Sequence, residues 1–364
     1  MRKILKGVAL LIAAVVAAAV VFFGVATVTE YRPRATENLD LRGAPTSGAP
    51  TPGAELSLLT FNIGYGGLGR EQDFFMDGGE MVRPGDKAAV EANMDGIVRF
   101  LQANPADVYM LQEVDSDSQR SFGMDQVTRL RDVLGGQAAY ALNFKSIFTP
   151  YPWPPIGKVT SGLVTDTGFP AATAERVALP VPFKWPVRLF NLKRCLLVTR
   201  APLEGTGQRL VLVNLHLEAY ESGQGRAAQM DALVKLLQEE YAKGNYVIAG
   251  GDFNQTLPGV AFPAVSDAWV PGTFDAAAFP AGWTVANDAA APTSRLNDAP
   301  WDGDNQLFGI DGFITSPNVE VVEVETMDQD FEFADHNPVR LRVVWTECRR
   351  GPGGGRAGAG RGPG

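Results

Sequence analysis

The chain has 364 residues and a formal charge of −9, with 45% of residues hydrophobic and 20% charged. That balance fits a globular protein with a sizeable core and excludes a disordered or fibrous chain. Residues 55–346 alone hold 22 Lys and Arg against 37 Asp and Glu, a net −15. A surface built to neutralise nucleic-acid phosphates carries the opposite sign, although bound divalent cations would offset part of the excess.

Residues 1–6 contain Arg2, Lys3 and Lys6 and read as a cytoplasmic N-terminus, followed by an uncharged apolar run at 7–28. At about 1.5 Å per residue, such a run crosses a hydrocarbon core of roughly 30 Å. The preceding cations favour an inside N-terminus with the remainder outside. The run therefore reads as a single-pass transmembrane anchor in the cell membrane, with the rest of the chain extracytoplasmic. The competing reading is a cleaved signal peptide, for which Gly24-Val25-Ala26 offers small residues, and which makes the protein secreted. Residues 29–54 are rich in Pro, Thr, Gly and Ala without a periodic apolar face, and read as a flexible linker. Residues 55–346 read as one domain, and the Gly/Arg-rich segment 347–364 as a disordered tail.

Within the domain, Leu56 to Phe61 predicts a strand ending at Asn62. A helix is expected after Asp86, because Val90, Met94, Ile97, Val98 and Leu101 recur on one face,. Val108 to Gln112 predicts a strand ending at Glu113. Tyr151 and Trp153, among four nearby prolines, read as an extended polyproline-like connector with no assigned role,. Cys195 lies in an apolar run and reads as a buried small hydrophobe; with Cys348 it makes neither a disulfide framework nor a thiolate metal site.

Leu210 to Leu215 predicts a strand ending at His216, and a second helix is expected over roughly 225–243,. Tyr246 to Ala249 leads into Asp252 and Asn254. Phe308-Gly309-Ile310 precedes Asp311, and Asp335-His336 precedes a strand around 339–344. Six strand ends thus deliver side chains suited to metal binding or proton transfer, and strand ends are where rigid scaffolds carry chemistry. The alternation of strands with amphipathic helices argues for an α/β fold with helix-covered sheets.

Thr60-Phe61-Asn62, Leu111-Gln112-Glu113-Val114, Asn214-Leu215-His216-Leu217, Gly250-Gly251-Asp252-Phe253-Asn254, Ile310-Asp311-Gly312-Phe313 and Ala334-Asp335-His336-Asn337-Pro338-Val339 follow one another in this order. In these segments the chain resembles the endonuclease/exonuclease/phosphatase superfamily, the DNase I-like fold. The resemblance implies a four-layer sandwich of two mixed β-sheets flanked by helices. It also implies a metal-dependent phosphoester hydrolase, here most like an exported phosphodiesterase. Glu113, with Asn62, would hold a divalent cation, and Asp335 would be a further ligand. Oxygen donors of this kind suit Mg²⁺, with Mn²⁺ able to substitute. Asp252 would orient or deprotonate water, Asn254 would help place phosphoryl oxygens, and Asp311 would hold and polarise His336. His216 would lie across the phosphate. A histidine at that position fits the DNase, sphingomyelinase and inositol-phosphatase branches rather than the abasic-site repair enzymes.

Arg295 is a candidate substrate-phosphate contact, since guanidinium matches phosphate bidentately; a surface ion pair is the plainer reading. The substrate stays open between nucleic acid and a phospholipid headgroup. Phosphomonoesterase action on inositol phosphates or phosphoinositides, or a noncatalytic module that binds phosphorylated ligands, are the alternatives. The membrane is a partner through the N-terminal helix, and no obligate protein partner is inferred.

Overall fold

The computed structural model describes residues 1–220 and 223–345. The tail expected at 347–364 and Cys348 lie outside the described residues, while Cys195 is buried. In chain order the elements are α1 (Arg2–Val28), β1 (Thr36–Leu39), β2 (Leu56–Asn62), α2 (Lys87–Ala103), β3 (Val108–Asp115), α3 (Gln126–Leu134), β4 (Gln137–Thr149), β5 (Gly157–Thr167) and β6 (Thr173–Ala178). Then come β7 (Cys195–Pro202), β8 (Arg209–His216), α4 (Gln224–Ala242), β9 (Tyr246–Asp252), β10 (Gln255–Thr256), β11 (Gly272–Thr273), β12 (Thr284–Ala286), β13 (Ser294–Arg295) and β14 (Leu307–Phe308). The last three are β15 (Asp311–Thr315), β16 (Val319–Thr326) and β17 (Val339–Trp345).

Two mixed sheets result, in the orders β1-β6-β7-β8-β9-β15-β12 and β16-β17-β2-β3-β5-β4. Each has one parallel pair near its middle, β8 with β9 and β2 with β3, and the strands flanking these pairs run antiparallel to them. Side chains alternate across a strand, so Leu58 faces inward while Leu59 and Phe61 face outward. Leu58, Met110 and Leu341 of one sheet meet Leu212, Ile248 and Phe313 of the other in the central core. On the outside, α4 lays Leu233 and Leu237 over Val213 and Val247. On the far side, α2 lays Met94, Ile97 and Leu101 over Leu59, Phe61 and Leu111. Each such side chain contributes roughly 1.5–3 kcal/mol on burial. The layers are therefore helix, sheet, sheet, helix, the four-layer α/β sandwich expected.

The helix after Asp86 forms as its spacing predicts, and the Asp86 carboxylate caps it by accepting the Ala88 N–H at 2.9 Å,. Three segments differ from the sequence reading. The segment 29–54, expected to be a flexible linker, supplies β1, which pairs with β6 from Thr36↔Val177 to Leu39↔Ala174. Arg42 bridges to Ala138 beyond it. The proline-rich connector around Tyr151 is the tip of the β4–β5 hairpin, closed by Thr149↔Gly157. Asp311 opens a strand rather than ending one, because Phe308 belongs to the short β13–β14 ladder. No residue of α1 is buried, and α1 is long and apolar enough to be a transmembrane span or a signal peptide.

Candidate active site

A parallel strand finishes at the sheet end where its antiparallel neighbour begins. The C-terminal ends of β2, β3, β8 and β9 therefore meet the starts of β15 and β17 along one edge. His216 is in register with Asp252 across the β8–β9 pair, and Asp311 is in register with Asp252 across β9–β15. Three neighbouring strands thus set His216, Asp252 and Asp311 in one row. Gly251 permits this spacing: its φ is +146°, and a Cβ there would sit 2.0 Å from the Leu215 carbonyl oxygen,. On the facing sheet, Asn62 ends β2 opposite Gln112. The next residue, Glu113, has φ +56° within the irregularity between Leu111 and Val114. A bulge of this kind re-aims a side chain out of the strand's alternation.

The His336 Nδ1 lies 2.8 Å from Asp311 Oδ2. Its Nε2 lies 3.8 Å from Asp252 Oδ2, 3.4 Å from Asn62 Nδ2 and 3.5 Å from Ser294 Oγ. The His216 Nε2 is 3.4 Å from the same Asp252 oxygen, and its Nδ1 is buried without a partner. Asp252 accepts the Asn254 N–H at 2.9 Å and the Asn62 amide at 3.1 Å.

Burial and Asp311 push the Asp252 carboxyl up to about 7, against the pull of His336 and the two donors. Burial opposes a charge on His336, but Asp311, Asp335 and Asp252 outweigh it and hold the ring well above the ordinary histidine range. Burial, reinforced by Arg194, His336 and Arg120, holds His216 well below that range. The two rings are thereby biased in opposite directions, His336 towards the cation and His216 towards neutrality.

The residues expected to hold a cation stand beside this group. Asp335 is buried to 8% exposure, with Oδ2 accepting from Asn297 at 2.6 Å and Oδ1 unpartnered. Burial raises its carboxyl to about 7, with His336 lowering it and Glu113 raising it. Gly64 comes close enough that a Cβ would lie 2.9 Å from Asp335 Oδ1. Buried carboxylate oxygens with an unfilled acceptor, facing a second carboxylate, match a hard divalent cation. A different trio, Asp252, Asp311 and His336, has its donor atoms within 4.8 Å of one another. The His336–Asp311 hydrogen bond already ties two of its members together. The Asn62 amide points its nitrogen at Glu113 (3.4 Å) and Asp252, while its oxygen accepts the Gly64 N–H at 3.1 Å.

Two expected residues are differently placed. Asn254, at φ +51°, donates its side-chain amide to the Leu217 carbonyl at 2.8 Å, which holds the turn, while the residue lines the cavity. Arg295 is 2% exposed and donates to the carbonyls of Gly69, Gln72 and Ala299 at 2.9, 3.1 and 3.2 Å. Its Nη atoms are engaged by backbone, its Nε is buried without a partner among the described residues, and the residue lines the cavity, so it is not the surface ion pair of the plainer reading. Conversely, Arg120 joins the site unannounced by any motif. It bonds Asp115 through Nε (3.1 Å) and Nη2 (3.0 Å), lies 3.7 Å from the centre of the Tyr65 ring and comes within 4.0 Å of Glu113. Asn62, Glu113, Arg120, His216, Asp252, Asp335 and His336 line a cavity of about 340 Å³, within the range of small-ligand sites, while Asp311 stands behind it,.

Residues 59–357 match the family model described as Endonuclease/Exonuclease/phosphatase family. The chain belongs to that family. Members hydrolyse phosphoester bonds, and so this chain is a phosphoester hydrolase of a family generally dependent on a divalent metal. Among solved structures it is similar to an endonuclease/exonuclease/phosphatase from Beutenbergia cavernae DSM 12333, at TM-score 0.55 and 16% identity over 80% of this chain and 72% of that one. It is also similar to a family protein from Bacteroides thetaiotaomicron, at 0.51 and 16% over 80% and 98%. The human Nocturnin catalytic domain gives 0.50 and 16% over 85% and 98%. These likenesses speak for the fold. Comparison with curated protein sequences gives no match.

Proposed function

We propose that this family member is an extracytoplasmic, Mg²⁺-dependent phosphodiesterase whose domain is held at the membrane by α1. The observation that carries the reading is the meeting of His216 and His336 on one oxygen of Asp252 at the cavity floor, at 3.4 and 3.8 Å. Glu113 and Asp335 would hold the cation, with Asn62 beside them. When bound, it supplies a Lewis acid that stabilises negative charge on a phosphoryl oxygen.

Asp252 takes the proton of the attacking water, and its raised pKa suits that exchange near neutrality,. The Asn254 and Asn62 N–H groups hold its carboxylate in place. His336, kept cationic by Asp311, donates towards a phosphoryl oxygen as charge builds there,. Its Nδ1–H is fixed on Asp311, so Nε2 is the atom that faces the substrate. His216 lies on the other side of Asp252 and contacts the phosphoryl group from the opposite wall. Most of the catalytic advantage then comes from positioning in a buried site.

The test uses the full-length protein with bis(p-nitrophenyl) phosphate and p-nitrophenyl phosphate, in Mg²⁺ or Mn²⁺ and in EDTA. Metal-dependent cleavage of the diester, lost in His216→Ala and in His336→Ala, is expected. Faster cleavage of the monoester would favour the phosphatase alternative, and no turnover on either would favour a binding module.

A further inference from the structure

The hairpin tip, to which the sequence assigned no role, lies against the end of α1. Phe22 stacks on Phe190 (5.8 Å) and meets Phe148 edge-on (6.5 Å). Phe23 packs on Trp185 (5.8 Å), whose Nε1 donates to Thr27 Oγ1 at 3.1 Å. At about 1.5 Å per residue, Phe22 lies roughly 9 Å before Val28 along the helix axis. The β4–β5 hairpin and the loop at 179–190 therefore grip α1 below the end of its apolar span. Immediately after the span, the Glu30 side chain is 3% exposed and pairs with Arg32 (3.0 Å), Arg188 (3.2 Å) and Lys193 (3.5 Å).

C-terminal to α1, the described residues include thirteen exposed large hydrophobic side chains, and seven of them lie in these two segments. Trp153 and Tyr151 are 87% and 74% exposed at the hairpin tip, and Trp185 and Val187 are each 53% exposed on the loop. Clustering of this kind marks an interaction surface, and Trp and Tyr are the residues that settle at a membrane–water boundary. Lys145 and Lys184, exposed on the same two segments, bring positive charge to a domain that is otherwise acidic. The same segments contribute Phe144, Ile156 and Phe183, joined by Leu192 just after the loop, to the wall of the cavity that also holds His216 and Asp252.

We infer that these two segments form a bilayer-docking surface and that the substrate is a membrane phospholipid, whose phosphodiester reaches the floor while its apolar part stays beside the Phe144–Leu192 wall. This rests on the phosphodiesterase reading and on retention of α1. In the reaction, a water oxygen joins phosphorus, one P–O ester bond breaks, and the proton lost by water ends on the released alcohol. The acidic domain repels a nucleic-acid polyanion, whereas a single headgroup phosphate brings little charge to repel.

The experiment reconstitutes the full chain in vesicles of phosphatidylcholine with one-fifth phosphatidylglycerol, and uses Trp153→Ser and the double variant Tyr151→Ser/Trp153→Ser. Neither side chain lines the cavity. Brominated lipid is expected to quench a fluorescence component that Trp153→Ser removes. The double variant is expected to slow vesicle phospholipid hydrolysis by about tenfold while leaving soluble bis(p-nitrophenyl) phosphate cleavage unchanged, as loss of interfacial anchoring requires. Absence of the Trp153 quenching component overturns the docking surface. Cleavage of the soluble diester without cleavage of vesicle phospholipid overturns the substrate class. No cleavage of either, with quenching intact, sinks the phosphodiesterase reading and the substrate with it, and upholds the docking surface alone.

Discussion

His216 and Asp311 stand on opposite sides of Asp252, each in register with it on an adjacent strand. The arrangement places one histidine directly on that carboxylate and uses the other carboxylate, Asp311, to bring in a second histidine from the turn before β17. The fold thus fixes the separation of His216 and Asp311 through backbone pairing, and a side-chain hydrogen bond from Asp311 places the His336 ring.

Asp311→Asn keeps the shape but removes the charge that favours the His336 cation. The His336 pKa should fall, because burial then acts against a weaker opposition. Turnover of a soluble diester should drop by about 10²–10⁴-fold, the range for losing an oriented acid–base group. A titration of the ring by NMR together with kcat checks this, and an unmoved ring pKa would refute it.

Divalent cation should stabilise the fold, because burial and the nearby Glu113 raise the cost of ionising the Asp335 carboxyl. At about a hundredfold excess over Kd, Mg²⁺ should add roughly 2.7 kcal/mol to the unfolding free energy. EDTA should remove that gain, and Glu113→Gln should blunt it. An equal Mg²⁺ shift in Glu113→Gln protein would place the cation elsewhere.

Arg295→Met tests whether that guanidinium serves substrate or scaffold. Three carbonyls lose a charged donor, so the unfolding midpoint in urea should fall by an amount worth about 2–4 kcal/mol. KM for a soluble diester should stay within about twofold, as expected where no binding contact is removed. A large rise in KM with unchanged stability would restore the phosphate-contact assignment.

Asp166 offers a pH test far from the catalytic row. It is 2% exposed with one unpartnered oxygen, and burial raises its carboxyl from 3.8 to about 6. A raised folded-state value means that the native state holds the proton more tightly. Stability is therefore fullest below about pH 4, declines as pH rises through 6, and is flat above. Asp166→Asn should match wild type near pH 4 and exceed it by about 1–3 kcal/mol at pH 7 to 8. Parallel stability curves for the two proteins across this range would contradict the assignment.

The positions of His216 and Asp252 were legible because each follows an apolar run of strand length. Leu210 to Leu215 can only be a strand, and His216 follows it. Asp311 was misplaced by one strand because Phe308-Gly309-Ile310 is an apolar run of the same look. Only tertiary packing, with Gly309 against Val260, separates it from β15. The strand β1 was hidden because its burial alternates only between exposed and half-buried, leaving backbone pairing as its main tie to β6. Arg120 lies in a short turn with no periodicity, and nothing local says that it folds back over Tyr65. Arg295 was visible as a cation near the site, but whether a guanidinium meets phosphate or carbonyls depends on a loop 226 residues away.

The ion pairs of Glu30 with Arg188 and Lys193 fasten the helix exit to the body of the domain. An enzyme on a slack leash would sweep a volume and meet its targets at any height. If α1 is retained in a bilayer as proposed, this clamped exit would confine the domain to a plane and hold its cavity at a constant height above the lipid surface. On that proposal selectivity would acquire a ruler, with headgroups sorted by how far they stand up from the bilayer before their chemistry is tried.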